Sequence, residues 1–335
     1  MAVDQALYSP QQWRVAILAE TTLGTKIVAN MFLLNVIGVP SVNYGITRDL
    51  TVHHGVGRTS KVADVFVNQA NTIKEISFTA FYNQNAVAAL LENLIGVAVG
   101  ASPASFDIVY NFTPPETGDG DSDSDWTGAM TCAITPPETG MARVFPGCFV
   151  SSLKIVADPS DDGGRFKVDV VLKSGHNALL SEVDPTFSAT DYYTPDRSFQ
   201  ELSGASEHAI DGNDIIISKF DLELISNVQF YGANAAGEAM TIARAVPEIE
   251  VNGVFTVKAD GNTIDLVDAS KDENTIVVAI SDNVDTWASA TFGILGSFGE
   301  VSADISDVEV SGGAFLDIPV KFMASSSGDV IQIVP

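Results

Sequence analysis

Four aspartates at alternate positions, Asp119, Asp121, Asp123 and Asp125, lie in the run TPPETGDGDSDSDWTGAMTCAITPPETG, residues 113–140. Carboxylates so spaced are hard oxygen ligands of the kind calcium takes, and an EF-hand loop also needs glycine at its sixth position and glutamate at its twelfth. Counted from Asp119 those positions hold Ser124 and Met130; counted from Asp121 they hold Trp126 and Cys132. Both registers fail. Asp121, Asp123 and Asp125 are weak calcium candidates, and a solvated acidic loop is the favoured reading.

Other reactive residue types are as sparse. His53 and His54 are adjacent, so on a strand they point to opposite faces and cannot chelate one ion together. GVGRTS, residues 55–60, begins like a dinucleotide-binding glycine loop but ends in Ser60 and sits between strand-like segments, as a hairpin bend would. Asp161 and Asp162 fall in a turn, and Asn111-Phe112-Thr113 spells a glycosylation sequon with no secretory context. No nucleophile elbow, phosphate loop or zinc-protease pattern occurs. Cys132 and Cys148 lack zinc-ligand spacing and allow at most one bridge; two buried thiols are the favoured reading. The expectation is a protein without enzymatic activity, catalytic residues or cofactor.

The charge bears on partners. With 43 Asp plus Glu against 17 Lys plus Arg, the formal net charge is −26. Such a surface repels nucleic acid and anionic membrane, and it keeps subunits soluble before assembly. Adaptation to a salty environment is the alternative explanation. The N-terminal MAVDQALYSPQQW has no basic region of a secretory signal, and IVANMFLLNVIGV, residues 27–39, is too short to span a bilayer. That stretch reads as buried structure or an oligomer contact.

The elements that must carry these residues read as strands. In KEISFTAFY, Ile76, Phe78 and Ala80 share a face; in RFKVDVVLKSG, Phe166, Val168, Val170 and Leu172 do; in KFDLELISNVQF, Leu222 and Leu224 oppose Asp221 and Glu223. NAVAALLENLIG, residues 85–96, has helical spacing and a plausible glycine cap at Gly96. Hairpins are predicted over 152–174 and over 300–325, the second through a Gly-Gly turn. Each half then runs strand, polar region, strand, short segment and closing hairpin, which predicts an internal duplication. The strands ending in the two TPPETG copies, IVYNFT and AMTCAIT, read as similar strand ends flanking the acidic loop. The expected organisation is an N-terminal arm and contact segment over 1–41, a first β domain over 42–175, a connector over 176–210 and a second β domain over 211–335.

Three stretches resemble the tail tube, or major tail, proteins of long-tailed bacteriophages. They are YGITRDLTVHHGVGRTSKVADVFVNQANTIKEISFTAFYNQNAVAALLENLIG (44–96), FPGCFVSSLKIVADPSDDGGRFKVDVVLKSG (145–175) and EIEVNGVFTVKAD (248–260). The resemblance implies two tandem β-sandwich or barrel halves, the first with a flanking helix, in rings stacked around a channel that conducts DNA during ejection. Subunits would join through their strand edges. Rings of this family are commonly six-fold, so a doubled chain would form trimers. The implied partners are further copies of the chain, a tape measure protein and a tail terminator, with DNA only in transit through an acidic lumen and no membrane. The implied place is the virion, after synthesis in the host cytoplasm. The competing readings are a calcium-binding β-sandwich surface adhesin, and a tail-completion or decoration protein.

Overall fold

The computed structural model describes residues 13–53, 62–68, 72–95, 106–109, 129–136, 140–158, 165–181, 184–188, 208–210, 213–214, 217–231, 242–258, 274–281, 293–301, 317–323 and 330–334. The chain is mainly β, with one large antiparallel sheet and, among the described residues, a single short helix.

The main path of the large sheet runs β18 (Asp317–Met323), β15 (Ile242–Lys258), β14 (Ile217–Tyr231), β9 (Ala142–Ala157), β10 (Lys167–Ser174), β6 (Lys74–Phe81), β3 (Val36–Asn43). Four further strands join it: β1 (Arg14–Ala19), which pairs with both β2 (Phe32–Leu34) and β8 (Met130–Thr135), and β11 (Leu179–Ser181), which pairs with β9. A second sheet has the order β13 (Asn213–Asp214), β12 (His208–Ile210), β16 (Asn274–Ser281), β17 (Gly293–Val301), β19 (Val330–Val334), β7 (Phe106–Val109). The ribbon of β4 (Thr47–His53) and β5 (Val62–Asn68) stands as a third.

The predicted alternations are borne out. Ile76, Phe78 and Ala80 of β6, Val168, Val170 and Leu172 of β10, and Leu222 and Leu224 of β14 are all buried on one face. Helix α1 (Gln84–Ile95) closes that face, with Val87, Leu90 and Leu91 fully buried among the same cluster. Asn83 caps it: its Oδ1 accepts the Ala86 N–H at 3.1 Å, satisfying one of the donors a helix N-terminus leaves open. Asn93 fastens the other end to the sheet, its Oδ1 accepting the Val150 N–H at 2.7 Å.

The central strand β9 changes partners along its length. Its first part pairs with β8 and β11, and its later part lies between β10 and β14. The bend comes near Gly147, whose φ of 62° lies in the left-handed region glycine tolerates. The β8–β9 register shifts there between Met130 and Cys132.

Several expectations are corrected. The 152–174 hairpin forms as β9 and β10; most of the 300–325 hairpin lies outside the described residues, and of the strands described at its two ends β17 pairs with β16 and β19 while β18 pairs with β15 in the other sheet. β4 pairs antiparallel with β5, the arrangement expected of strands on either side of a hairpin bend at 55–60. The two strands before the TPPETG copies are unlike, since β7 pairs with β19 while β8 lies between β1 and β9. Alternation marks a strand without naming its partner, so matching element order did not guarantee matching topology. No duplication is evident. The segment 27–39 contains β2 and the first half of β3, with Met31 and Leu34 buried. Gly96 lies outside the described residues.

Candidate functional site

The calcium candidates Asp121, Asp123 and Asp125 lie outside the described residues, as do His54, the 55–60 glycine loop, Asn111, Asp161 and Asp162. His53 ends β4. Among the described residues, no group of three or more His, Cys, Asp or Glu side chains is placed to hold a metal ion. No helix of the described residues is long and apolar enough to cross a membrane, which does not bear on strand-built spans.

Sequence reasoning missed a buried polar corner where β1 ends. Glu20, 7% exposed, accepts Thr131 Oγ1–H at 2.6 Å and Gly147 N–H at 2.8 Å on Oε1, and Gly24 N–H at 2.8 Å on Oε2. Thr131 Oγ1 in turn accepts the Ile27 N–H at 3.1 Å, so the loop folds around the carboxylate. His176, also buried, sits between Gly24 and Gly147, and a Cβ at either glycine would strike its ring. Both glycines have left-handed φ, 76° and 62°. His176 is held in turn by Ser174, whose Oγ accepts the His176 N–H at 3.1 Å and donates to the Pro146 carbonyl at 2.6 Å. Burial pushes the Glu20 carboxyl above its ordinary 4.5, and the hydrogen bonds from Thr131, Gly147 and Gly24, with the nearby His176, offset only part of this. The one sequence signal was Gly24 four residues after Glu20; the other partners lie 111 and 127 residues away.

Cys132 and Cys148 are free thiols, both fully buried in the core cluster, which bears out the reading of two buried thiols. Burial pushes Cys132 from 9.0 to about 12 and Cys148 well above 9.0, the fields of Cys132 and Glu20 adding to the latter. Such thiols are poor nucleophiles and poor metal ligands, because both roles need the thiolate.

The third feature is the free end of the large sheet. β3 ends the strand path, and among the described residues no strand pairs with its outer edge. From Ile27 to Thr47 no residue is charged, in a chain whose net charge is −26. Along and beside this edge Ile37, Val39, Tyr44, Ile46 and Ile73 are exposed, Val39 by 56%. The β3–β6 register shifts by two residues between Ile37 and Ser41. Gly38, at φ 87°, and Pro40 lie inside that bulge, and it turns Val39 outward. An edge strand with exposed apolar side chains is a template for association, and natural sheets usually blunt such edges with charge or proline. Here Pro40 and the bulge around it blunt an uncharged strip, without help from charge.

No protein-family model matches this chain, and no curated protein matches it.

Proposed function

We propose that this chain is a structural virion protein that self-assembles, as a tail tube protein does, into stacked rings forming the conduit for DNA in a long-tailed bacteriophage. The carrying observation is the uncharged apolar edge at β3 in a strongly acidic chain. Copies of charge −26 repel over most of their surface, so a stable contact between them favours a neutral strip. The opposite end of the sheet is β18. Joining the β3 end of one copy to the β18 end of the next is a head-to-tail contact, which closes a ring when the rotation per subunit divides the circle. The mainly β fold, the helix covering one sheet face and the resemblance of residues 44–96 and 145–175 to that family support the same reading.

In its finer form the reading has two tail-tube-like halves and three chains per ring. Native mass spectrometry tests this: three full-length chains per ring are expected, and six overturn the finer form while leaving the tube. The acid residues serve DNA passage by repelling phosphate from the wall. The direct test of the whole reading is negative-stain electron microscopy over a range of protein and salt concentration. Hollow rings or tubes of constant width are expected, favoured by salt as it screens repulsion. Monomers under every condition overturn it.

A further inference from the structure

We propose that Lys74 and Asn177 form a site of self-modification, in which the lysine amine displaces the asparagine amide nitrogen and joins the head of β6 to the chain beyond β10 through an isopeptide bond. The proposal does not depend on how copies of the chain assemble. Lys74 opens β6 and is only 4% exposed, where lysine is rarely found. Its Nζ donates to the Thr72 carbonyl at 2.8 Å and to Asn177 Oδ1 at 3.4 Å, and both of these acceptors are uncharged. The amine therefore already lies against the side-chain amide it would attack.

The surroundings hold the two groups in place. The β6–β10 ladder ends at the pair Lys74 and Ser174, and the chain just beyond that rung brings Asn177 to the lysine's end. Ser174 is fully buried; its Oγ donates to the Pro146 carbonyl at 2.6 Å and accepts the His176 N–H at 3.1 Å. The His176 ring is seated between Gly24 and Gly147, so the backbone leading into Asn177 is fixed on both sides. Two reactants fixed in this way need no encounter by diffusion, which is what makes attack on an unactivated amide slow in solution.

The chemistry balances without an oxidant or a co-reactant. An amine attacks only in its neutral form, and seclusion from water is how proteins bring a lysine to it. A bond forms between Lys74 Nζ and Asn177 Cγ, and the bond from Cγ to Nδ2 breaks. Of the two protons on the neutral amine, one stays on the new amide N–H and the other leaves with Nδ2 as ammonia. Asn177 is half-buried, so the ammonia has a way out to solvent. The product ties the two strands together covalently at the end of their ladder.

Intact-mass spectrometry of the denatured full-length protein, with a tryptic map, tests this. The chain is expected to be lighter than its sequence by one ammonia, about 17 Da. The map is expected to show no cleavage after Lys74 and a pair of peptides linked through Lys74 and Asn177. Lys74→Arg and Asn177→Ala are each expected to retain the full mass. Asn177→Asp is expected to lose water instead and to reach the same final mass as the unsubstituted product. The linked peptide pair is read from the unsubstituted chain, so the test stands even where a variant folds poorly. Full mass in the folded, unsubstituted protein overturns the proposal. So does a loss of ammonia that persists in Lys74→Arg, which marks a succinimide at an asparagine.

Discussion

At the scale of single residues, burial rather than charge pairing sets the chemistry. Cys132 ionises at about 12 in the folded chain but near 9.0 once unfolded. The unfolded state therefore loses its proton first as pH rises, and this thiol's contribution to stability, whole below pH 9.0, is lost progressively toward 12. Urea midpoints measured across the alkaline range should fall accordingly, and less steeply in Cys132→Ala. Alkylation of both cysteines at pH 8 is expected to require denaturant. Gly147 is a second residue-scale constraint, since a methyl there meets the His176 ring and the backbone is left-handed. Gly147→Ala is expected to cost at least about 1 kcal/mol, read from urea unfolding.

At the scale of elements, the strip beside β3 and the buried face of the sheet answer to different demands. Val39 is 56% exposed, so Val39→Lys should leave stability within about 0.5 kcal/mol while placing a charge in the uncharged edge. Its expected effect is loss of rings and tubes in electron micrographs with an unchanged thermal midpoint; unchanged assembly would remove β3 from the contact. Leu90, fully buried where α1 meets the sheet, is the contrasting case. Leu90→Ala is expected to destabilise by about 2–5 kcal/mol, through lost burial and the cavity left behind. The periodic strands and the helix were legible because their neighbours in sequence share a face. The Glu20 corner was not, because its partners arrive from distant stretches of chain and leave no local pattern.

At the scale of the whole molecule, acidity and a neutral edge together predict salt-dependent association. Sedimentation at rising ionic strength is expected to shift the chain from small species toward large ones, and at low salt to hold it apart. Large species that dissolve as salt rises would instead mark contacts between opposite charges and remove the neutral edge from its role.

The sequence by itself determined the strand-rich class, the faces of β6, β10 and β14, the place of α1 and the absence of familiar catalytic spacing. Each follows from residues near one another in the chain, where periods of 2 and 3.6 are written directly. Only the tertiary structure decided that β17 and β18 part into different sheets, that β3 ends one of them, and that Glu20, Thr131, Gly147 and His176 share a corner. Strand partners and buried polar contacts are set by which faces must be covered at once, a condition on the whole chain that no window of sequence contains.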